Sequence, residues 1–229
     1  MARFPAASED ARETGTPMRR IESVEARASG TVKIAVGGSS FLARSCFLLE
    51  SGLDPKDLVP GTELDEDGLV SLALAADATD AERQAAALIA RAEQTRYLLG
   101  AKLEKKGLSP RAVRLALDHL EAEGLLSDRR FAEAWLRSRL GQGGGGGAGL
   151  SPLKLLSGLR SRGIAEDIAK AAIRQVFGPE ERRVALAAAI ARERRKGEPD
   201  RGELRSRLRR LGFSAEEIRV YFEESSESD

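Results

Sequence analysis

Arginine dominates the stretches of this chain that could do chemistry. Arg129, Arg130, Arg137 and Arg139 share one predicted helix with Phe131. Lys154, Arg160 and Arg162 follow a run of glycines. Arg192, Arg194, Arg195 and Lys196 end a long predicted helix, and Arg205, Arg207, Arg209 and Arg210 crowd the next. A guanidinium is always charged and offers a planar fork of donors that matches phosphate and carboxylate oxygens. Basic residues at 192–196 also complement a helix C-terminus, which accounts for that group without any ligand. The density at 205–210 exceeds that explanation and points to contact with phosphates or with an acidic protein surface.

No catalytic constellation accompanies these cations, and no cofactor or metal is expected. The single histidine, His119, has no second His or Cys beside it to make a metal site. The single Cys46 excludes an internal disulfide and reads as a small buried hydrophobe in a reducing compartment. Glu63, Asp65, Asp67 and Gly68 suggest a calcium loop, but its twelfth position is Leu74, where a bidentate Glu is required. The five glycines Gly143 to Gly147 are not a phosphate-binding loop, because Ala148-Gly149-Leu150 follows them instead of Gly-Lys-Ser/Thr. Phe131 and Trp135 keep the helical period and read as core residues more than as base-stacking platforms.

Charge divides the chain. Residues 1–79 carry 8 Lys/Arg against 13 Asp/Glu, whereas residues 80–222 carry 29 against 19. A net +10 on the second segment favours an anionic partner, nucleic acid first. The bland alternative is an Arg-rich solvated surface. The longest apolar run, Leu69 to Ala76, is too short to span a bilayer, and no apolar segment follows the N-terminal basic residues as in a signal peptide. A cytoplasmic monomer with no membrane contact is expected.

The elements that must position the arginines are mostly helical. Residues 1–30 are polar and read as a disordered arm. Residues 31–79 form a small α+β module. Val32, Ile34 and Val36 alternate as in a strand, Gly37-Gly38-Ser39-Ser40 turns, and Phe41 to Ala43 returns. Residues 45–50 fit either a strand extension or a short helix, and Asp65 to Ala75 reads as a short helix. From Asp80, with Thr79 and Glu82 as a capping pair, the chain is helical. Residues 80–140 hold the first repeat and the first helix of the second, 141–149 a glycine-rich flexible insertion, 150–222 the remainder, and 223–229 an acidic tail.

Three segments match: Leu103-Glu-Lys-Lys-Gly107-Leu108, Leu159-Arg-Ser-Arg-Gly163-Ile164 and Leu208-Arg-Arg-Leu-Gly212-Phe213. Ten residues past each glycine lies Leu117, Ile173 or Phe222. Gly107, Gly163, Gly212 and Gly124 sit where helix C-termini call for positive φ. The fold class expected is therefore mainly α: three tandem three-helix repeats in an elongated body, preceded by the small α+β module.

Several of these segments carry a resemblance. Thr95-Arg-Tyr-Leu-Leu-Gly-Ala-Lys-Leu-Glu-Lys-Lys-Gly107, Leu120-Glu-Ala-Glu-Gly-Leu-Leu-Ser-Asp128-Arg-Arg-Phe131-Ala-Glu-Ala-Trp135-Leu-Arg-Ser-Arg139 and Leu155-Leu-Ser-Gly-Leu-Arg-Ser-Arg-Gly163-Ile164 resemble the RecX family, regulators of the bacterial RecA recombinase. The likeness covers residues 80–222, and Gly124-Leu-Leu-Ser-Asp-Arg-Arg-Phe-Ala132 is its most specific part. It departs from the family at the five-glycine insertion, which bears on the geometry between repeats one and two, and at Ala165-Glu166, where a capping Ser is usual. The resemblance implies a non-enzymatic protein that lies in the groove of the RecA–DNA filament, suppresses its ATPase and strand exchange, and so modulates recombination, DNA repair and the SOS response. The RecA filament is the implied partner, with direct contact to single- or double-stranded DNA included. The reading left beside it is a basic helical-repeat protein that binds nucleic acid independently of RecA.

Overall fold

The computed structural model describes residues 18–141 and 151–226. All of the expected insertion but Gly141, which is helical, and most of the expected arm lie outside the described residues. Two compact units divide the chain: residues 1–82 with 108–116, and residues 83–107 with 117–229.

The first unit is built on a four-stranded antiparallel sheet of order β3-β2-β1-β4. Its strands are β1 (Arg19–Ala26), β2 (Thr31–Val36), β3 (Ser39–Arg44) and β4 (Glu63–Leu64). β1 corrects the reading of residues 1–30 as an arm. It is polar enough to resemble one, yet it pairs with β2 on one side and β4 on the other, and it buries Ile21. Backbone hydrogen bonding to two neighbours outweighs the weak apolar pattern, a non-local effect that composition does not report. The alternation in β2 holds: Ile34 and Val36 are buried and Val32 packs beside them. Residues 45–50 form the short helix α1 (Ser45–Glu50), which contributes Phe47 and Leu48 to the same core. Burial pushes the thiol of Cys46 up, as suits a packing residue.

α2 (Glu66–Ile89) is one helix of 24 residues, not two. Thr79 therefore does not cap it. Its hydroxyl donates back to Ala75 O (2.8 Å) and accepts from Arg44 N (2.9 Å), while Glu82 forms an ion pair with Arg44. No Gly or Pro follows Gly68 to stop the helix before Ile89, and the Ala-rich sequence propagates through Thr79.

The remaining helices are α3 (Arg96–Lys105), α4 (Pro110–Ala122), α5 (Asp128–Gly141), α6 (Pro152–Arg160), α7 (Glu166–Val176), α8 (Pro179–Arg195), α9 (Arg201–Arg210) and α10 (Ala215–Ser226). α10 extends past residue 222 into the stretch read as tail. The caps are local chemistry. Thr95, Ser151 and Asp200 accept from the backbone N–H three residues on, at 3.1, 3.3 and 2.8 Å. Ser214 and Glu217 exchange reciprocal bonds as a full capping box. Ala165 offers α7 no side-chain cap.

In the second unit the sequence repeat becomes a structural one. Each of Thr95, Ser151 and Asp200 starts a helix whose buried leucines are Leu99 and Leu103, Leu155 and Leu159, or Leu204 and Leu208. Those helices close at Gly107 (φ 91°), Gly163 (φ 80°) and Gly212 (φ 90°). After Gly163 and Gly212 the turn is a Schellman motif: Ile164 N donates to Leu159 O and Phe213 N to Leu208 O, both at 3.3 Å. The core of this unit runs through Ala132, Leu136, Ile164, Ile173, Phe177, Leu186, Ile190, Phe213, Ile218 and Phe222.

One contact recurs between successive copies. Tyr97, the second residue of α3, lies over Gly163, where a Cβ would overlap its Cβ and Cγ. Leu153, the second residue of α6, lies over Gly212, where a Cβ would sit 3.0 Å from Leu153 N. A hydrogen bond accompanies each: Thr95 Oγ1 donates to Arg162 O (2.8 Å) and Leu153 N to Leu211 O (3.3 Å). Copies one and two thus dock as copies two and three do, despite the glycine insertion between α5 and α6. The corresponding residue of α9 is Gly202, which has no side chain to dock, and a Cβ at Gly107 would meet nothing within 4 Å.

Candidate nucleic-acid interface

The candidate cations separate by what they touch. Arg130 is structural: it donates to Gly124 O (2.7 Å), Leu125 O (2.9 Å) and Glu93 (2.9 Å), tying the start of α5 to the turn before it. Arg207 is structural as well. It bonds Glu203 at 2.6 Å and reaches the buried Glu193 at 3.4 Å. Lys196 (2.8 Å) and Arg192 (4.0 Å) approach the same Glu193 carboxylate. Hydrogen bonding from Lys196, then from Arg207, holds that carboxyl below its ordinary range against the opposing effect of burial. The sequence places Arg192 and Arg207 among the candidate contact cations; the fold turns both toward Glu193, which joins the end of α8 to α9.

Others are exposed yet matched by acids on their own surface. Arg129 and Arg137 share Glu133, each at 3.1 Å, and Arg129 also reaches Gln175. Arg160 shares Glu166 with Lys170. Exposed pairs of this kind contribute little to stability and leave little net field.

A third group has no acidic partner among the described residues: Arg139, Lys154, Arg162, Arg194, Arg195, Arg205, Arg209 and Arg210. Two of them are brought together. Arg139 and Arg162 approach the ring of Trp135, with guanidinium carbons 5.3 and 4.9 Å from its centroid. On α9 the fold adds a residue that sequence reasoning missed. Arg201 and Arg205 lie over the ring of the buried Phe222, at 5.2 and 5.7 Å. Arg201, Arg205 and Arg209 fall at i, i+4 and i+8, a single stripe along the helix. The four-residue spacing back from Arg205 was the available signal for Arg201. Arginines stacked on rings are held in place with their outer donors free, an arrangement that can bind phosphate or carboxylate groups at low ordering cost.

No group of three or more His, Cys, Asp or Glu side chains among the described residues could hold a metal ion. No described helix is long and apolar enough to cross a membrane.

Comparison with known proteins places this architecture. No protein-family model matches the chain. A regulatory protein RecX of Halorhodospira halophila is 36% identical over 159 residues, covering 66% of this chain and 92% of the relative. The regulatory protein RecX of Chromohalobacter salexigens is 34% identical over 134 residues, 58% of this chain and 84% of that one. A crystal structure of a regulatory protein RecX aligns over 90% of this chain and 99% of its own with a TM-score of 0.59; at 23% identity it supports the fold alone. With 92% of a relative covered at 36% identity, the chain belongs to the RecX family.

Proposed function

We propose that this protein binds the RecA–DNA filament and slows its ATP turnover and strand exchange, without hydrolysing anything itself. Membership of a family of regulatory proteins supports a regulatory role. The observation that carries the contact is the Arg201–Arg205–Arg209 stripe, cationic, with Arg201 and Arg205 braced on Phe222 and none of the three with an acidic partner among the described residues. A filament offers DNA phosphates and acidic protein surface over many repeats, so individually weak ionic contacts add by multivalency. The arginines already paired with Glu133, Glu166, Glu193 and Glu203 are not needed for this. The reading is tested by RecA ATPase turnover on single-stranded DNA with added protein. Inhibition at fewer than one molecule per RecA protomer, weakening as salt rises, supports it. Tight binding to bare DNA with no effect on RecA favours a RecA-independent nucleic-acid binder.

A further inference from the structure

Trp135 occupies an unusual position. One edge of its ring packs against the core of the second unit and abuts α6 at Gly158, where a Cβ would stand 2.7 Å from Trp135 Cη2. Any larger residue there would push the ring away. The ring also gathers two like charges, Arg139 from its own helix and Arg162 from the turn after α6. Arg162 is fixed by donating to Gly158 O at 2.6 Å. Lys154 projects from α6 four residues before Gly158, on the same face.

This concentration of charge is not neutralised. Neither Arg139 nor Arg162 meets an acid among the described residues, and residues 140–150 contain no Asp or Glu at all. The nearest acids in sequence are occupied: Glu133 by Arg129 and Arg137, Glu166 by Arg160 and Lys170. Two guanidiniums drawn to one ring without a counter-charge repel each other, and an arriving anion relieves that repulsion. Cation–π attraction supplies the geometry but not the neutralisation.

We infer that Arg139 and Arg162, held on Trp135, form a contact site for single-stranded nucleic acid. The inference rests on the proposed function and adds a specific contact to it. Stacking decides between an oligonucleotide and an acidic protein segment. Guanidinium groups held over an indole are flat and charged, so an unpaired base can stack beside them while its phosphate takes the outer donors. A carboxylate has no use for the flat surface, and a duplex hides its base faces.

Trp135 is the only tryptophan in the chain, so its fluorescence reports on the site directly. The full-length protein is titrated with a twenty-residue oligo(dT) over a range of salt. The expected result is fluorescence quenching, with an affinity that falls as salt rises. Arg139→Gln should lower the slope of log K against log salt by about 0.7, and Arg139→Gln with Arg162→Gln by about 1.4, the values for one and two lost phosphate contacts on a single strand. Arg139→Gln is the primary variant, because Arg162 also supports the Gly158 turn; an unchanged urea midpoint confirms its fold. The inference is overturned if folded Arg139→Gln keeps the parental affinity and slope, or if oligo(dT) leaves the fluorescence unchanged. It is equally overturned if poly-glutamate quenches as well as oligo(dT), which would make the site an acidic-protein contact. Inhibition of RecA turnover without oligo(dT) quenching removes this inference and leaves the proposed function standing.

Discussion

Replacing each repeat glycine by alanine separates the contribution of docking between copies from that of the turn itself. Gly107, Gly163 and Gly212 have φ of 91°, 80° and 90°, so an added Cβ meets nearly the same backbone strain at all three, about 1–2 kcal/mol. The loss of unfolded-state freedom on going from Gly to Ala offsets part of this, by about 0.4–1 kcal/mol, again nearly equally. What differs is the space. At Gly107 the Cβ meets nothing, so Gly107→Ala should cost only the difference of these two terms, about 0–1.6 kcal/mol. At Gly212 it would lie 3.0 Å from Leu153 N and 3.2 Å from Leu153 Cβ, atoms of a helix that cannot swing aside. At Gly163 it would overlap the Cβ and Cγ of Tyr97. Overpacking of this kind adds about 1–3 kcal/mol, with Gly163→Ala at the upper end. Urea unfolding midpoints for the three variants read the order directly. Tyr97→Gly combined with Gly163→Ala should cost much less than the two changes summed, since the Tyr97 Cβ, the nearest clashing atom, is gone with the ring. Equal losses at all three glycines, or the largest at Gly107, would refute the reasoning that consecutive copies dock through these turns.

Two further outcomes follow from the ion pairs. Because Lys196 and Arg207 hold the Glu193 carboxyl below its ordinary value of 4.5, the stability it contributes is present above that pH and lost as pH falls below it; Glu193→Gln should therefore lower the thermal midpoint at pH 7 and flatten its fall below that ordinary value, as scanning calorimetry across pH would measure. Arg130→Ala should cost about 1–2 kcal/mol by urea unfolding, through lost charge-assisted bonds to Gly124 O and Leu125 O, while leaving the salt dependence of oligo(dT) binding unchanged.

The repeat was legible in the sequence because its signals are local. A capping side chain, two leucines one turn apart and a glycine that must take positive φ depend on a dozen consecutive residues, as at Thr95 to Gly107. Where the sequence misled, the deciding partner lay far along the chain. β1 is a strand because β2 and β4 flank it, although only Ile21 and Val24 in it are large and apolar. Thr79 looked like a cap because its hydroxyl can bond either way; the helix beneath and Arg44 opposite settled the direction. The arginines were least legible. Spacing identifies Arg207 and Arg209 alike as exposed, but only Arg207 has Glu193 beneath it, a carboxylate from the preceding helix. Arg130 likewise depends on Glu93 and on carbonyls exposed by the Gly124 turn. The unneutralised set, with Arg201 added, emerges only after such pairs are removed.

The account's central claim is regulation of RecA through this cationic surface, and RecA ATP turnover on single-stranded DNA tests it most directly. The parent protein and an Arg205→Glu, Arg209→Glu variant are compared at increasing concentration; neither residue has an acidic partner among the described residues, and an unchanged urea midpoint confirms that losing the Arg205–Phe222 contact leaves the fold intact. The account predicts that the parent inhibits at fewer than one molecule per RecA protomer and that the variant inhibits markedly less. A folded variant as potent as the parent, or a parent that never slows RecA, would contradict it.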